Sequence, residues 1–369
     1  MAIVHNLLLD VQALFYLLVG LPSIIMSLLP SPYPWNSDWF WFPDLRQTKK
    51  QPPPDFSRWR SFWLNQASPF LASHGYHLYS IADESNHCIG DLQRSRSVAA
   101  KESQHSKQVI RDDEDAVFFF HPRVWAAQDN AGRDVVIKFI TGSRRGQTEL
   151  RVHQLLNSAQ LRQDRRNSPV PVIDLLEFGG GAFLVLPRWG PAHELDFAVV
   201  GEVVQFSKRI VELLAFFHEH GIVHGDLHEM NIVVDAVVPD TLKFKLRIAG
   251  LHGADRSYAF IDFETSSVDR AFFSAWRKRD VEMLGGVLSR PIQCICAQGA
   301  DSALLDLVDA MIDVDNPHHP TATEAAARFN QICETLAEKD MNREFEWWSY
   351  GRMVPRRVPV IYSLPPKPV

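Results

Sequence analysis

The chain is poor in cysteine, with four in 369 residues. Cys88, Cys294, Cys296 and Cys333 make no metal-binding spacing and no dense disulfide framework. There is also no Asn-x-Ser/Thr sequon. Both absences fit a reducing, cytosolic setting for the folded part. Positive charge is not in excess: 38 Lys and Arg face 44 Asp and Glu, a formal net charge of -6. The chain therefore lacks the basic footprint of a nucleic-acid binder. Glycine is missing from Phe120-His121-Pro122-Arg123, which joins two strand-like stretches. What remains, 46% hydrophobic and 22% charged residues, is a globular balance long enough for a core in two parts.

Residues 11–29 carry no formally charged side chain, which is long enough to cross a bilayer. Trp35, Trp39, Phe40 and Trp41 follow, then Arg46, Lys49 and Lys50. An aromatic belt with a basic flank leaves the C-terminal bulk in the cytosol, membrane-anchored through this segment. The other reading is a helix, broken near Gly20-Leu21-Pro22, that packs on the folded domain or on a partner. No basic stretch precedes the apolar run, as a cleaved signal peptide would require. The chain thus divides into a hydrophobic segment (1–31) and an aromatic, Pro-rich and polar linker region (32–115). Within the linker, residues 51–54 are a stiff spacer, the aromatic stretch 56–79 packs somewhere, and 91–115 is a mobile connection. A Pro-rich tail (342–369) either docks through Trp347 and Trp348 or extends as a ligand for another protein.

The run His224-Gly225-Asp226-Leu227-His228-Glu229-Met230-Asn231 separates an amphipathic helix from the apolar Ile232-Val233-Val234. In the helix, Val203, Phe206, Ile210, Leu213 and Phe217 recur at helical spacing, and Gly221 ends it. A carboxylate followed five residues later by a carboxamide suits phosphoryl transfer, with Asp226 taking a hydroxyl proton and Asn231 holding a metal ion. Upstream, strand-like stretches at 116–120 and 123–127 and the turn Asp129-Asn130-Ala131-Gly132 lead into Val135-Val136-Ile137-Lys138-Phe139. Alone, Lys138 reads as a solvent-facing strand lysine. The helical pattern over 147–156, however, puts Glu149, Val152 and Leu156 on one face. A carboxylate on a core stripe needs a cation, and Lys138 is the natural one. A hairpin over 172–178 and 182–186 follows, ending in Leu186-Pro187-Arg188-Trp189-Gly190. Later, Tyr258-Ala259-Phe260-Ile261 runs into Asp262-Phe263-Glu264, where an aspartate alone is an ordinary turn residue. The segment 235–257, with strand-like 242–248, reads as an insertion lengthening the hairpin. Thr321 and Glu324 make a capping box.

Taken in this order, over about residues 116–338, these pieces resemble the protein-kinase-like superfamily. The 224–231 run resembles the catalytic loop HRDLxxxN, with Gly225 where most members carry Arg. Val135-Val136-Ile137-Lys138 resembles the Val-Ala-Ile-Lys strand, and Asp262-Phe263-Glu264 resembles the Asp-Phe-Gly triplet with Glu264 in the glycine's place. The helix holding Asp280 resembles the one whose aspartate braces the catalytic loop, and Asn316-Pro317-His318-His319-Pro320-Thr321 resembles the D-P-x-x-R-P-T that closes the fold.

The resemblance implies an α+β, two-lobed fold: a small antiparallel-sheet lobe with one main helix and a hinge (116–190), and a larger, mostly helical lobe (191–341). It implies ATP and Mg²⁺, with Lys138 on the phosphates, Glu149 orienting it, Asp226 as base, and Asn231 and Asp262 on the metal. Leu186 would guard the back of the nucleotide pocket, with Pro187 and Trp189 at the adenine. Two departures follow. The glycine-rich loop expected at 120–123 is absent, so either Arg123 and the backbone cover the nucleotide or the site binds it poorly. Gly225 leaves nothing local to grip a phosphate, so activity should not require phosphorylation of Thr265, Ser266, Ser267 or Ser274. Three functions stay open: a protein serine/threonine kinase-like enzyme, a small-molecule kinase similar to aminoglycoside phosphotransferases and choline kinases, and a pseudokinase binding module. The C-terminal half resembles protein kinases and favours a protein substrate.

Overall fold

The computed structural model describes residues 56–79, 122–192, 195–237, 252–268 and 273–349, with short pieces at 81–82, 88–89, 108–109, 246–247, 250 and 352–354. The hydrophobic segment 11–29, the spacer 51–54, the strand expected at 116–120, most of the connection 91–115 and the end of the tail lie outside these residues. Among the described residues no helix is long and apolar enough to cross a membrane.

The fold is α+β. Five antiparallel strands, β1 (Tyr76–Leu78), β2 (Val124–Asp129), β3 (Asp134–Ile140), β4 (Asp174–Phe178) and β5 (Gly181–Pro187), form one sheet in the order β1-β2-β3-β5-β4. The β2–β3 turn is set by Asp129, whose Oδ1 accepts the amides of Ala131 and Arg133 at 2.9 Å each. This hairpin pairs Val124 with Lys138, fixing which face of the sheet carries the lysine.

The outer neighbour of β2 is a correction to the sequence reading. It is β1, from the region assigned to the linker, so the connection into β2 runs through residues 79–123 instead of the short loop 120–123. The reason is aromatic packing. A helical stretch, Phe56–Ser61 through the π-wound Phe62–Ala67 to Ser68–Ser73, precedes β1 and buries Phe62 and Trp63. Phe62 lies 5.1 Å from Phe139, and Trp63 lies 5.6 Å from both Trp125 and Phe183, between ring centroids. These tilted ring contacts fix the helical stretch on the sheet just before the chain enters β1.

α1 (Arg144–Leu156) starts three residues before the predicted 147, because Ser143 caps it by accepting the Gly146 amide at 3.3 Å. Any Cβ at 146 would sit 2.0 Å from the Thr141 carbonyl oxygen, so the turn requires glycine. In the helical part, α2 (Val200–Glu219) is central, with Val203, Phe206, Ile210, Leu213 and Phe217 all buried. Around it lie α3 (Phe273–Ala297), α4 (Ala303–Ile312) and α5 (Ala322–Thr335), the last opened by the Thr321–Glu324 capping box.

Among the further short strands are β6 (Gly190–Pro191), β7 (Leu195–Asp196), β8 (Ile232–Val234), β9 (Leu246–Arg247) and β10 (Tyr258–Phe260). β8 lies between β6 and β10, antiparallel to both. The 235–257 insertion does not lengthen the β8–β10 hairpin as expected: β9 pairs in parallel with β7. The start of the segment assigned to the tail packs on the helical part: Phe345 is buried against Phe197, and its amide donates to the Ala198 carbonyl at 3.0 Å.

Candidate active site

Lys138, on β3, is buried, and its ammonium is the centre of a charge cluster. Nζ lies 2.6 Å from Glu149 Oε1, 2.6 Å from Asp262 Oδ1 and 3.4 Å from Glu264 Oε1. The buried Arg123 guanidinium holds the other oxygen of Glu264. Residues far apart in sequence meet because β3 and α1 are adjacent along the chain and Asp262 leaves the end of β10. Burial alone would pull the Lys138 proton affinity down. The carboxylates of Glu149, Asp262 and Glu264 outweigh it and hold the ammonium above the ordinary lysine value. His153, one turn along α1 from Glu149, is pushed down to about 3 by burial and then by the Lys138 charge, so it stays neutral. Its ring meets Phe263 edge-on at 5.0 Å.

Asp262 has φ 66° and ψ 68°, the only positive φ outside glycine among the described residues. A left-handed aspartate costs about 1–3 kcal/mol and persists only where its surroundings fix it. Here the Lys138 contact does so.

The 224–231 loop is held from beneath. Asp280 of α3, with no exposed surface, accepts the amides of His224 and Gly225 at 2.8 Å each and lies 3.1 Å from His218 Nε2. Burial pushes the His224 proton affinity down, so the ring is neutral. The Asp226 amide donates to its Nδ1 at 3.3 Å, which assigns the proton to Nε2, donating to the Ile261 carbonyl at 2.9 Å. Gly225 has φ 82°, and a Cβ there would lie 2.9 Å from the Thr265 carbonyl oxygen. Glycine at 225 thus suits both the backbone and the space. Asn231 Nδ2 donates to the Asp226 carbonyl at 3.0 Å, while the Ile261 amide donates to the Asn231 carbonyl at 3.0 Å. Those bonds join the loop to Asp262. The Asp226 carboxylate itself is 44% exposed, with His228 Nε2 at 3.8 Å.

The structure thus brings Lys138, Glu149 and Asp262 into contact, and links Asp226 to Asn231. Leu186, Pro187 and Trp189 belong to the apolar surroundings. Leu186 belongs to an apolar cluster with Ile140, Leu184, Val233 and Ala259, on which Trp189 and Ile261 pack. Pro187 ends β5 opposite Val135. The indole N–H of Trp189 is buried with no acceptor among the described residues.

No protein-family model matches the chain, and no curated protein is significantly similar to it. The chemistry of the site therefore has to be read from its geometry. Glu149, Asp262 and Glu264 present carboxylate oxygens within 4.8 Å of one another, a spacing that suits a cation. Lys138 is already the cation at their focus. The oxygens of Asp262 and Asn231 are the hard donors that a magnesium ion would use.

Two features escaped the sequence reading. The Arg123–Glu264 pair joins positions that only the folded sheet brings together. The second is a groove that Arg144, Arg145 and Arg151 line together with Thr265, Ser266 and Ser267. Its signal was the four- and three-residue spacing of Arg144, Thr148 and Arg151 on one helical face.

Proposed function

We propose that the chain has a two-lobed, protein-kinase-like fold and is an ATP- and Mg²⁺-dependent phosphotransferase acting on protein hydroxyl groups. One observation carries the reading: a single buried ammonium lies 2.6 Å from both Glu149 and Asp262, on the strand and helix where the sequence resemblance assigns them. Lys138 binds nucleotide phosphate, and Glu149 keeps it extended toward the site. Asp262 and Asn231 would hold Mg²⁺, whose charge offsets that of the phosphates when the nucleotide is bound. Asp226, open to solvent on a loop pinned by Asp280, takes the proton of the attacking hydroxyl. Leu186 supplies apolar surface behind the adenine ring, with the Pro187 carbonyl and the Trp189 backbone amide facing its edge.

A second reading has its own support. Glu264, where the resemblance leads one to expect glycine, pairs with both Arg123 and Lys138. A carboxylate on the phosphate-binding lysine competes with nucleotide, as it would in a module that binds partners without catalysis.

The test is γ-phosphate transfer to a protein mixture and to small alcohols and amines, comparing the parent with Asp226→Ala. Transfer to proteins that vanishes in the variant supports the reading. Transfer to small molecules alone moves the enzyme to the small-molecule kinases, and nucleotide binding without transfer supports the binding module.

A further inference from the structure

A groove of about 620 Å³ opens beside the charge cluster. Arg144, Arg145, Thr148 and Arg151 of α1 line it, as do residues 264–268 and Trp276 of α3. Arg144, Thr148 and Arg151 are spaced four and three residues apart and share one helical face. All three arginines are exposed, and none forms an ion pair among the described residues. The one carboxylate in the lining, Glu264, is already held by Arg123 and Lys138. The groove therefore carries unneutralised positive charge on a chain whose net charge is -6.

Guanidinium groups bind carboxylates through paired, planar hydrogen bonds. The groove's own hydroxyls do not take that role: Thr265 and Ser266 donate to the His224 carbonyl at 3.2 and 3.0 Å. That contact, and the Thr265 carbonyl against Gly225, make the groove continuous with the residue before Asp226. Trp276, 47% exposed, adds an apolar platform beside the cations.

We propose that this groove binds the acidic flank of a protein substrate, with Arg144, Arg145 and Arg151 gripping its carboxylates and Trp276 packing on its chain. The word substrate rests on the phosphotransferase reading, whereas the binding itself does not.

The experiment uses the full chain without nucleotide at low salt. It measures fluorescence polarisation of a labelled peptide with glutamates flanking one serine, and of the same peptide with glutamines instead. The acidic peptide should bind, and the glutamine peptide about tenfold or more weakly, as expected for lost charge-assisted hydrogen bonds. Arg144→Gln/Arg151→Gln should lose about the same factor while melting at the parent's temperature, since both side chains are exposed. Arg144→Lys/Arg151→Lys should fall between the two. Equal binding of both peptides, or equal binding by parent and glutamine variant, overturns the proposal. So does preferential capture of phosphatidylserine vesicles by the same arginines, which would make the occupant a membrane surface. Acidic-peptide binding without any turnover would sink the transfer reading and leave the groove standing. Turnover with no acidic preference would do the reverse.

Discussion

The charges around Lys138 and the charge of Asp226 lie in opposite environments. Lys138 and Glu149 keep 10% and 1% of their side-chain surface, whereas Asp226 and His228 keep 44% and 45%. Buried charges must be matched one by one, so the first group organises the fold as well as the site. An exposed carboxylate is free of that duty and is available to a reacting hydroxyl. The contrast implies that changes in the buried group move stability and nucleotide binding together, whereas a change at Asp226 leaves stability in place.

The largest effect should come from Lys138→Met, which leaves Glu149 buried without its cation. Denaturant unfolding should fall by about 3–5 kcal/mol, and nucleotide binding should go with it. Unchanged stability would erase the contrast. Asp226→Asn should do the opposite, holding stability within about 0.5 kcal/mol while steady-state transfer falls by about 10²–10⁴.

Acid probes the buried side alone. The His153 proton affinity is depressed from 6.5 to about 3 on folding, so the unfolded chain binds the extra proton. The contribution of His153 is complete above about pH 6.5 and is lost as pH falls toward 3, with His224 acting in the same direction. Between neutrality and ~pH 5, His153 alone should cost roughly 2 kcal/mol. Melts across that range should show the loss, and His153→Leu should flatten it. Gly225→Ala, which forces a left-handed alanine against the Thr265 carbonyl, should cost roughly 1–2 kcal/mol. It should also slow transfer by moving Asp226, giving a mixed phenotype that sharpens the boundary between the regions. Thr321→Ala, far along the chain in the capping box of α5, should cost ~1 kcal/mol with transfer unchanged.

The parts legible in sequence are those where one residue's burden is local. Glu149 on an apolar helical stripe demanded a cation, and the strand before it offered Lys138. Asp226 and Asn231 were legible because a single loop sets their spacing. β1 was not, since Tyr76-His77-Leu78 alternates correctly but three residues are too few to establish a period. The aromatic rings that hold it, Phe62 and Trp63, carry no information about which sheet they cover. Glu264 read as a mere departure from a motif, because its partner Arg123 lies 141 residues away. The parallel β7–β9 pair was equally invisible, as strand pairing at a distance leaves no local trace.

On the proposed reading, Lys138, Asn231 and Asp262 converge on one magnesium-nucleotide. Calorimetric titration of ATP into the chain, with and without Mg²⁺, for the parent and for Asp262→Asn, tests it most directly. Saturable binding that needs Mg²⁺ in the parent and weakens sharply in the variant is the expected result. Heat that is the same with and without Mg²⁺, or the same in both proteins, would contradict it.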